Sequence, residues 1–523
     1  MNVVDAEVSG IPGIGTAGGI SGNIGFSSRG MSSDNLKANI FGLPVAIKAN
    51  LENFSSPAIS LDCSASAGLD AVIVLLKKKF GPGLPVDIAT GMVGISLSLD
   101  YQAAAGGLTR FSGTVNIIDA GLRFKSPGAV ITAINGPVTF CLNRLSWENV
   151  RLKYLGTDYT SSGELVDFRS PQVRLKLSSG LLALESTFSS AGKKMSVSSL
   201  TGSYLDSKFT LSGEADFSQP QAVMVSASGR LTVDLKDIKE PLKKYKDRLD
   251  KANPQGILWV DCNFDGNVKD LKNCSIEADA SSDSVSFYGL KSGSLNLHYR
   301  QDSGIADISA LRMALYDGSI EASAKMNFGS DNMPYWISLD ADGVKLEKLK
   351  DDTPARKSDL AGSLKAHVKL NGFSGDLSRL TGAGTLEVTG GKLWELDFFK
   401  GLGALLFTSD FSSVIFSEGS CGFTIGQKHI YTDSLKLTSS LSVIRGEAKV
   451  GFDGSLDGSL DAEVLPDVPL TGTVKDVTTA ILGQASRVGV IKISGSLKEP
   501  KFKFVPAVVD IIRSFKNAIL GNN

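Results

Sequence analysis

The sequence has few of the residues from which most metal and redox centres are made. Its three histidines, His298, His367 and His429, each stand at or near an alternating strand pattern with no second His or Cys close by to share an ion. No metal site and no cofactor are expected. The five cysteines, at 63, 141, 262, 274 and 421, form an odd set without a Cys-x-x-Cys pair, which excludes a thioredoxin-like motif and a disulfide framework. Cys262 and Cys274 flank an expected hairpin, Asn263 to Asn273, around Asp265-Gly266. A cross-hairpin disulfide and two buried thiols are both compatible with that spacing.

Charge of one sign is also missing. The 54 basic and 55 acidic residues nearly cancel and form no long block, so sequence-independent attraction to nucleic-acid phosphates has no source and no nucleic-acid partner is expected. Long apolar runs are absent as well. The longest, Ala71 to Leu76, falls far short of the roughly 20 residues that span a bilayer. Met1 to Gly30 lacks a basic start followed by a compact apolar stretch, and so does not read as a signal peptide.

What is abundant is strand-and-turn chemistry. Glycine occurs 56 times, and Val, Ile, Leu and Phe are set singly between polar residues. Runs of five to eight alternating residues recur from end to end. Val173, Leu175 and Leu177 alternate with Arg174, Lys176 and Ser178, and Leu364, Ala366, Val368 and Leu370 with Lys365, His367 and Lys369. Successive side chains of a strand point to opposite faces, so each run has one apolar and one hydrated face, the mark of antiparallel sheets wet on one side. Short helical patterns interrupt the strands at Asp70 to Lys79, Lys239 to Lys251, Trp394 to Phe407, Val474 to Leu482 and, amphipathically, Ala507 to Leu520.

With some 80 to 100 residues in helices and excursions, roughly 25 to 35 strands remain, enough for a ladder on the order of 120 to 170 Å long. Strand twist must coil such a sheet. The expected fold is therefore mainly β: an elongated, twisted antiparallel β-sheet curled into an apolar groove, with a few short helices. Few segments are left to cover the apolar face, and an uncovered face of that size implies an apolar occupant or a sheet folded on itself.

Motifs for chemistry are scarce. Gly13-x-Gly15-x-x-Gly18 matches a dinucleotide fingerprint in letters but continues into a glycine-spaced strand pattern rather than a helix. Asp340-x-Asp342-Gly343, Asp453-Gly454 and Asp457-Gly458 lack calcium-loop spacing and read as hairpin turns. There is no Gly-x-Ser-x-Gly elbow, phosphate loop or His-Glu-x-x-His. No catalytic residue is assigned and no enzyme is expected.

The C-terminal quarter carries more specific detail. Gly382-Ala-Gly-Thr-Leu-Glu-Val-Thr-Gly-Gly-Lys-Leu393, then Gly422-Phe-Thr-Ile-Gly426, Leu435-Lys-Leu437, the strands from Gly446 to Leu465, and Val490-Ile-Lys-Ile-Ser-Gly-Ser-Leu-Lys-Glu-Pro500 follow in order. Over Leu360 to Pro506 this resembles the C-terminal domain of AsmA-like envelope proteins, the group of AsmA and TamB. The resemblance implies a taco-shaped β-groove that moves phospholipid between inner and outer membrane and supports outer-membrane assembly. It also implies a periplasmic, cell-envelope location in a Gram-negative-type bacterium, and a tether to the inner membrane by a segment outside this sequence. Implied partners are phospholipid or other acyl-chain lipids, with membrane or envelope proteins at the ends.

The organisation expected is an N-terminal groove part (1–236), a helical excursion (237–256), a middle groove segment (257–359), the AsmA-like domain (360–506) and a terminal amphipathic helix (507–523). Groove lining is assigned where alternation is cleanest: Leu295, Leu297, Tyr299, Leu364, Val368, Leu370, Leu435, Leu437, Ile491, Ile493, Phe502 and Phe504. The alternative is a structural or adhesive β-solenoid binding sugars or proteins, for which a fixed repeat of roughly 20 to 30 residues would be needed.

Overall fold

The computed structural model describes residues 1–11, 15–80, 86–125, 129–219, 222–353, 356, 360–392, 416–440, 442–464, 486–497 and 499–506. The expected helices at 394–407, 474–482 and 507–520 lie outside these residues. Strand accounts for 75% of the structure and helix for 9%, and the sheet is antiparallel and does not close into a barrel. Among the described residues there are 32 strands, each pairing antiparallel with its neighbours wherever the register is defined, which is not the parallel stacking of a solenoid. The chain divides into two compact units, Met1–Gly229 and Arg230–Asn523.

In the first unit a meander runs from Asn2–Ile11 to Ser207–Gln219. Its register carries one apolar row across the strands: Ile95, Val115, Val138, Trp147, Gly163, Leu175, Ser186, Leu200 and Leu211 are successive cross-strand partners. Because the side-chain period is two, that register places all of them on the same face. Helix α1 (Leu69–Phe80) lies where the sequence places it, and its Leu69 packs with buried Ala120, Ile134 and Val150.

The second unit repeats the design. Val260, Ala280, Leu297, Leu311, Ala322, Leu339, Val368, Gly384 and Phe423 form one cross-strand row over eight successive pairings. Only part of the charged stretch expected as a helix over 239–251 is α-helical, namely α2 (Lys246–Ala252), preceded by two short 3-10 turns. Pro241 has no N–H to continue a helix across that point.

Turn chemistry differs from expectation in an instructive way. Hairpins turn at Phe41-Gly42, Leu155-Gly156 and Gln427-Lys428, with φ of 55° and 81°, 48° and 83°, and 51° and 64°. These are left-handed pairs that match strand twist but lack the usual Asn-Gly or Asp-Gly letters. Of the expected turns, Asp453-Gly454 does join two strands. Asp457-Gly458 instead lies inside strand Leu456–Val464, where a Cβ on Gly458 would meet Glu447 O and Ala448 of the next strand. Asp342-Gly343 sits within Pro334–Lys345 at a register shift between Ala341 and Val344, with Gly343 at φ 70°. Asp265-Gly266 also belongs to a strand, Gln255–Asn267, and the chain turns after it through a 3-10 turn at Leu271–Asn273.

Candidate functional site: a continuous apolar sheet face

The twelve residues assigned from the sequence to a groove lining fall on the register-linked apolar face of the second unit. Leu295 and Leu297 lie opposite Ser282 and Ala280, and Tyr299 opposite Ala278. Leu364, Val368 and Leu370 lie opposite Val344, Leu339 and Ile337. Leu435 and Leu437 face Gly446 and Ile444, and Ile491 and Ile493 face Phe504 and Phe502.

Their environments separate them into three groups, with Leu364 packed against both the C-terminal core and the Leu315–Ala341–Val344–Ala366 cluster. At the C-terminal end Leu437, Ile491 and Ile493 are buried with Phe416, Ile444, Leu460 and Ala462, and Leu435, Phe502 and Phe504 pack against them. This is a dry protein core. Across the middle strands the same face is only half-buried: Leu297, Tyr299, Val368 and Leu370, together with Leu311, Ile337 and Leu339, retain partial exposure. Leu295 is buried beside Leu235 and Val285, with Leu258 and Met313 against it. An unsealed apolar row thus runs from strand Gln255–Asn267 to strand Asp376–Lys392 and ends against a sealed core.

Helix α3 (Leu346–Leu349) helps to close the sealed end. Leu346 is buried in the C-terminal core and Leu349 packs against it. Its setting is held by polar bonds: Glu347 Oε2 accepts the Gly362 N–H at 3.1 Å, and Lys348 pairs with Asp317 at 2.5 Å. In the following turn, Asp352 receives Lys291 Nζ at 2.7 Å and the Tyr316 hydroxyl at 2.8 Å. The hydrogen bond from Lys291, then that from Tyr316, pulls the Asp352 carboxyl below its ordinary value. The sequence reading missed α3; its signal is the Leu346/Leu349 pair in an otherwise charged run.

Glycines shape this face by close approach. Gly113, Gly202 and Gly384 stand cross-strand from Phe140, Phe209 and Phe423, and Gly489 stands diagonally from Phe504, and a side chain at any of the four would collide with the ring. The rings lie over bare backbone, which fills the gap glycine leaves in a sheet. Polar atoms within the apolar face are satisfied. The Tyr299 hydroxyl donates to Gln301 Oε1 at 2.8 Å, and Gln301 Nε2 donates to Leu271 O at 2.6 Å. Burial pushes the Tyr299 hydroxyl and the Cys262 thiol up from their ordinary pKa values.

The opposite face is hydrated and charged, with cross-strand pairs such as Arg312–Glu321 at 3.2 Å and Arg445–Glu463 at 2.7 Å. Its histidines have single partners: His298 lies 2.7 Å from Asp279, His367 bonds Asp340, and His429 lies 2.6 Å from Gln427 O. No group of three or more metal-type ligands occurs among the described residues. All five cysteines are free. Cys262 faces Ala278 on the apolar side, and Cys274 Sγ bonds Asn267 O and Asp270 O instead. Because the turn falls beyond Asn267, the two thiols are separated along the strands and no bridge spans them.

These features define a class: antiparallel β-sheet proteins whose sheet has one apolar face and one hydrated face. The AsmA family model matches residues 144–386, so that stretch of the chain is similar to the AsmA family. That match includes the half-buried middle strands and overlaps the C-terminal stretch of sequence resemblance only over 360–386. The AsmA family is associated with envelope assembly and lipid transport in bacteria. No curated protein and no solved structure matches the chain. No helix among the described residues is long and apolar enough to cross a membrane.

Proposed function

We propose that this protein is a non-enzymatic lipid carrier of the bacterial envelope, holding or conducting phospholipid acyl chains along its apolar face between the inner and outer membranes. The observation that supports the reading is the half-buried row from Val260 to Gly384, which keeps partial exposure even where Leu297 packs against the Leu235–Val285–Leu295 cluster and Leu339 against the Leu315–Ala341–Val344–Ala366 cluster. An acyl chain laid on such a face loses water from its methylenes at about 0.8 kcal/mol for each one fully buried. If roughly a dozen methylenes are covered on one side only, the gain is about 5 kcal/mol, enough to hold a chain and still release it. Headgroups would remain at the hydrated margin of the sheet. Acyl-chain transfer needs no catalytic group.

Replacing Val368 and Leu370 together by Asp puts two charges on the row without disturbing the opposite face. Mass spectrometry of gently purified protein is expected to find phospholipid on the parent chain and at least a several-fold loss in the double variant. Equal lipid content in both, with circular dichroism unchanged, would remove this face as the carrier.

A further inference from the structure

The hydrated face of the second unit carries one feature that neither lipid handling nor stability explains. Trp336 stands there with 37% of its surface exposed, among charged and hydroxyl side chains and the similarly exposed Ile257, Trp259 and Ile305. Its cross-strand neighbours are Lys325 on one side and Asn371 on the other, and Asn371 in turn faces Thr381. Beside this row the Arg379 guanidinium lies over the Phe373 ring, 3.7 Å from its centroid. Together these six side chains line a shallow cavity of about 410 Å³, within the usual range for small-ligand sites.

We propose that this cavity binds an anionic sugar residue. A partly exposed indole offers a stacking surface to the C–H face of a pyranose ring. Asn371 and Thr381 supply a carbonyl and N–H or O–H groups at its edge, the donor and acceptor mix that ring hydroxyls need. Lys325 and Arg379 make no salt bridge with a described residue, and the Arg379 guanidinium is held over the Phe373 ring. Two such cations select a carboxylate or phosphate substituent. Asp307, the direct cross-strand partner of Lys325, and Asp376, whose carboxyl feels the Arg379 charge, both lie outside the cavity lining, which itself contains two cations and no acid. Lys325, Trp336, Asn371 and Thr381 lie on the face opposite the apolar row, while Met326, Tyr335 and Gly372 of the apolar side also border the cavity.

The test is titration of the full chain with a galacturonic acid trisaccharide, a neutral galactose trisaccharide and adenosine monophosphate, followed by calorimetry. The acidic trisaccharide is expected to bind about tenfold more tightly than the neutral one. Trp336→Ala should weaken both about tenfold, Lys325→Ala should weaken only the acidic one, and Asn371→Ala should weaken both, with circular dichroism unchanged in each. Absence of binding, equal affinity for the two trisaccharides, affinity indifferent to Trp336→Ala, or tighter binding of the nucleotide would each overturn the proposal.

Discussion

Truncating matched side chains in the two regions of the apolar face should give unequal losses of stability. Ile491 is fully buried opposite Leu460, also fully buried. Removing its branch in Ile491→Ala leaves a cavity among Ile444, Leu460 and Phe504 and forfeits the whole transfer energy, a loss of about 2 to 5 kcal/mol. Leu339 lies opposite Val368 on the unsealed row and keeps water contact. Leu339→Ala, at the half-exposed margin of the Leu315–Ala341–Val344–Ala366 cluster, removes only a partial transfer term, so about 1 kcal/mol is expected in lipid-free protein. Hydrogen exchange of backbone amides reads each site locally, which suits a large two-unit chain that need not unfold in one step. The opening free energy of strands 456–464 and 486–495 should fall by at least twice as much in Ile491→Ala as that of strands 334–345 and 361–373 falls in Leu339→Ala. Equal losses would mean that the middle row is sealed as tightly as the C-terminal core, and the argument for an uncovered face would fail.

The attachment of the turn after α3 should depend on acid. Asp352 has a lowered carboxyl pKa in the folded chain, chiefly through Lys291, so its contribution is fully present above the unfolded value of about 3.9 and disappears as pH falls through the lower folded value. Amides of 346–352 should therefore exchange faster below about pH 4, and Asp352→Asn should abolish that pH dependence. Because Cys262 and Cys274 are free thiols, intact mass under denaturing conditions should show both alkylated by iodoacetamide without prior reduction; protection lifted only by a reductant would reveal a bridge.

Much of the architecture is legible because alternation is a local property. A single strand such as Ala361–Phe373 states its own two faces in Leu364, Ala366, Val368 and Leu370, and register only has to align it with its neighbours. Strand Ile305–Leu315 hides the same information. A register shift between Ile308 and Leu311 changes the phase in mid-strand, so Leu311 and Met313 belong to the row without continuing the alternation that precedes them. The Asp-Gly pairs mislead for a related reason. At Gly458 glycine answers a neighbouring strand rather than a turn, and that neighbour, Glu447–Ala448, is ten residues away in sequence.

Burial is the least legible quantity. Leu437 and Val368 look alike in sequence, each apolar between two polar residues, yet Leu437 is 3% exposed and Val368 is half-buried. The difference comes from tertiary partners: Phe416, Ile444 and the helix carrying Leu346 close over the C-terminal strands. The lining assigned by alternation therefore mixes core residues with uncovered ones, and no single-strand pattern separates the two.

The central claim is that the middle of the apolar face meets lipid while the other face meets water. Photo-crosslinking from within cells tests it at residue level, with p-benzoylphenylalanine placed at Leu339 on the apolar row or at Lys369 on the exposed side of a neighbouring strand. The account predicts phospholipid adducts at position 339 and none at 369. Adducts at both positions, or at neither, would contradict it.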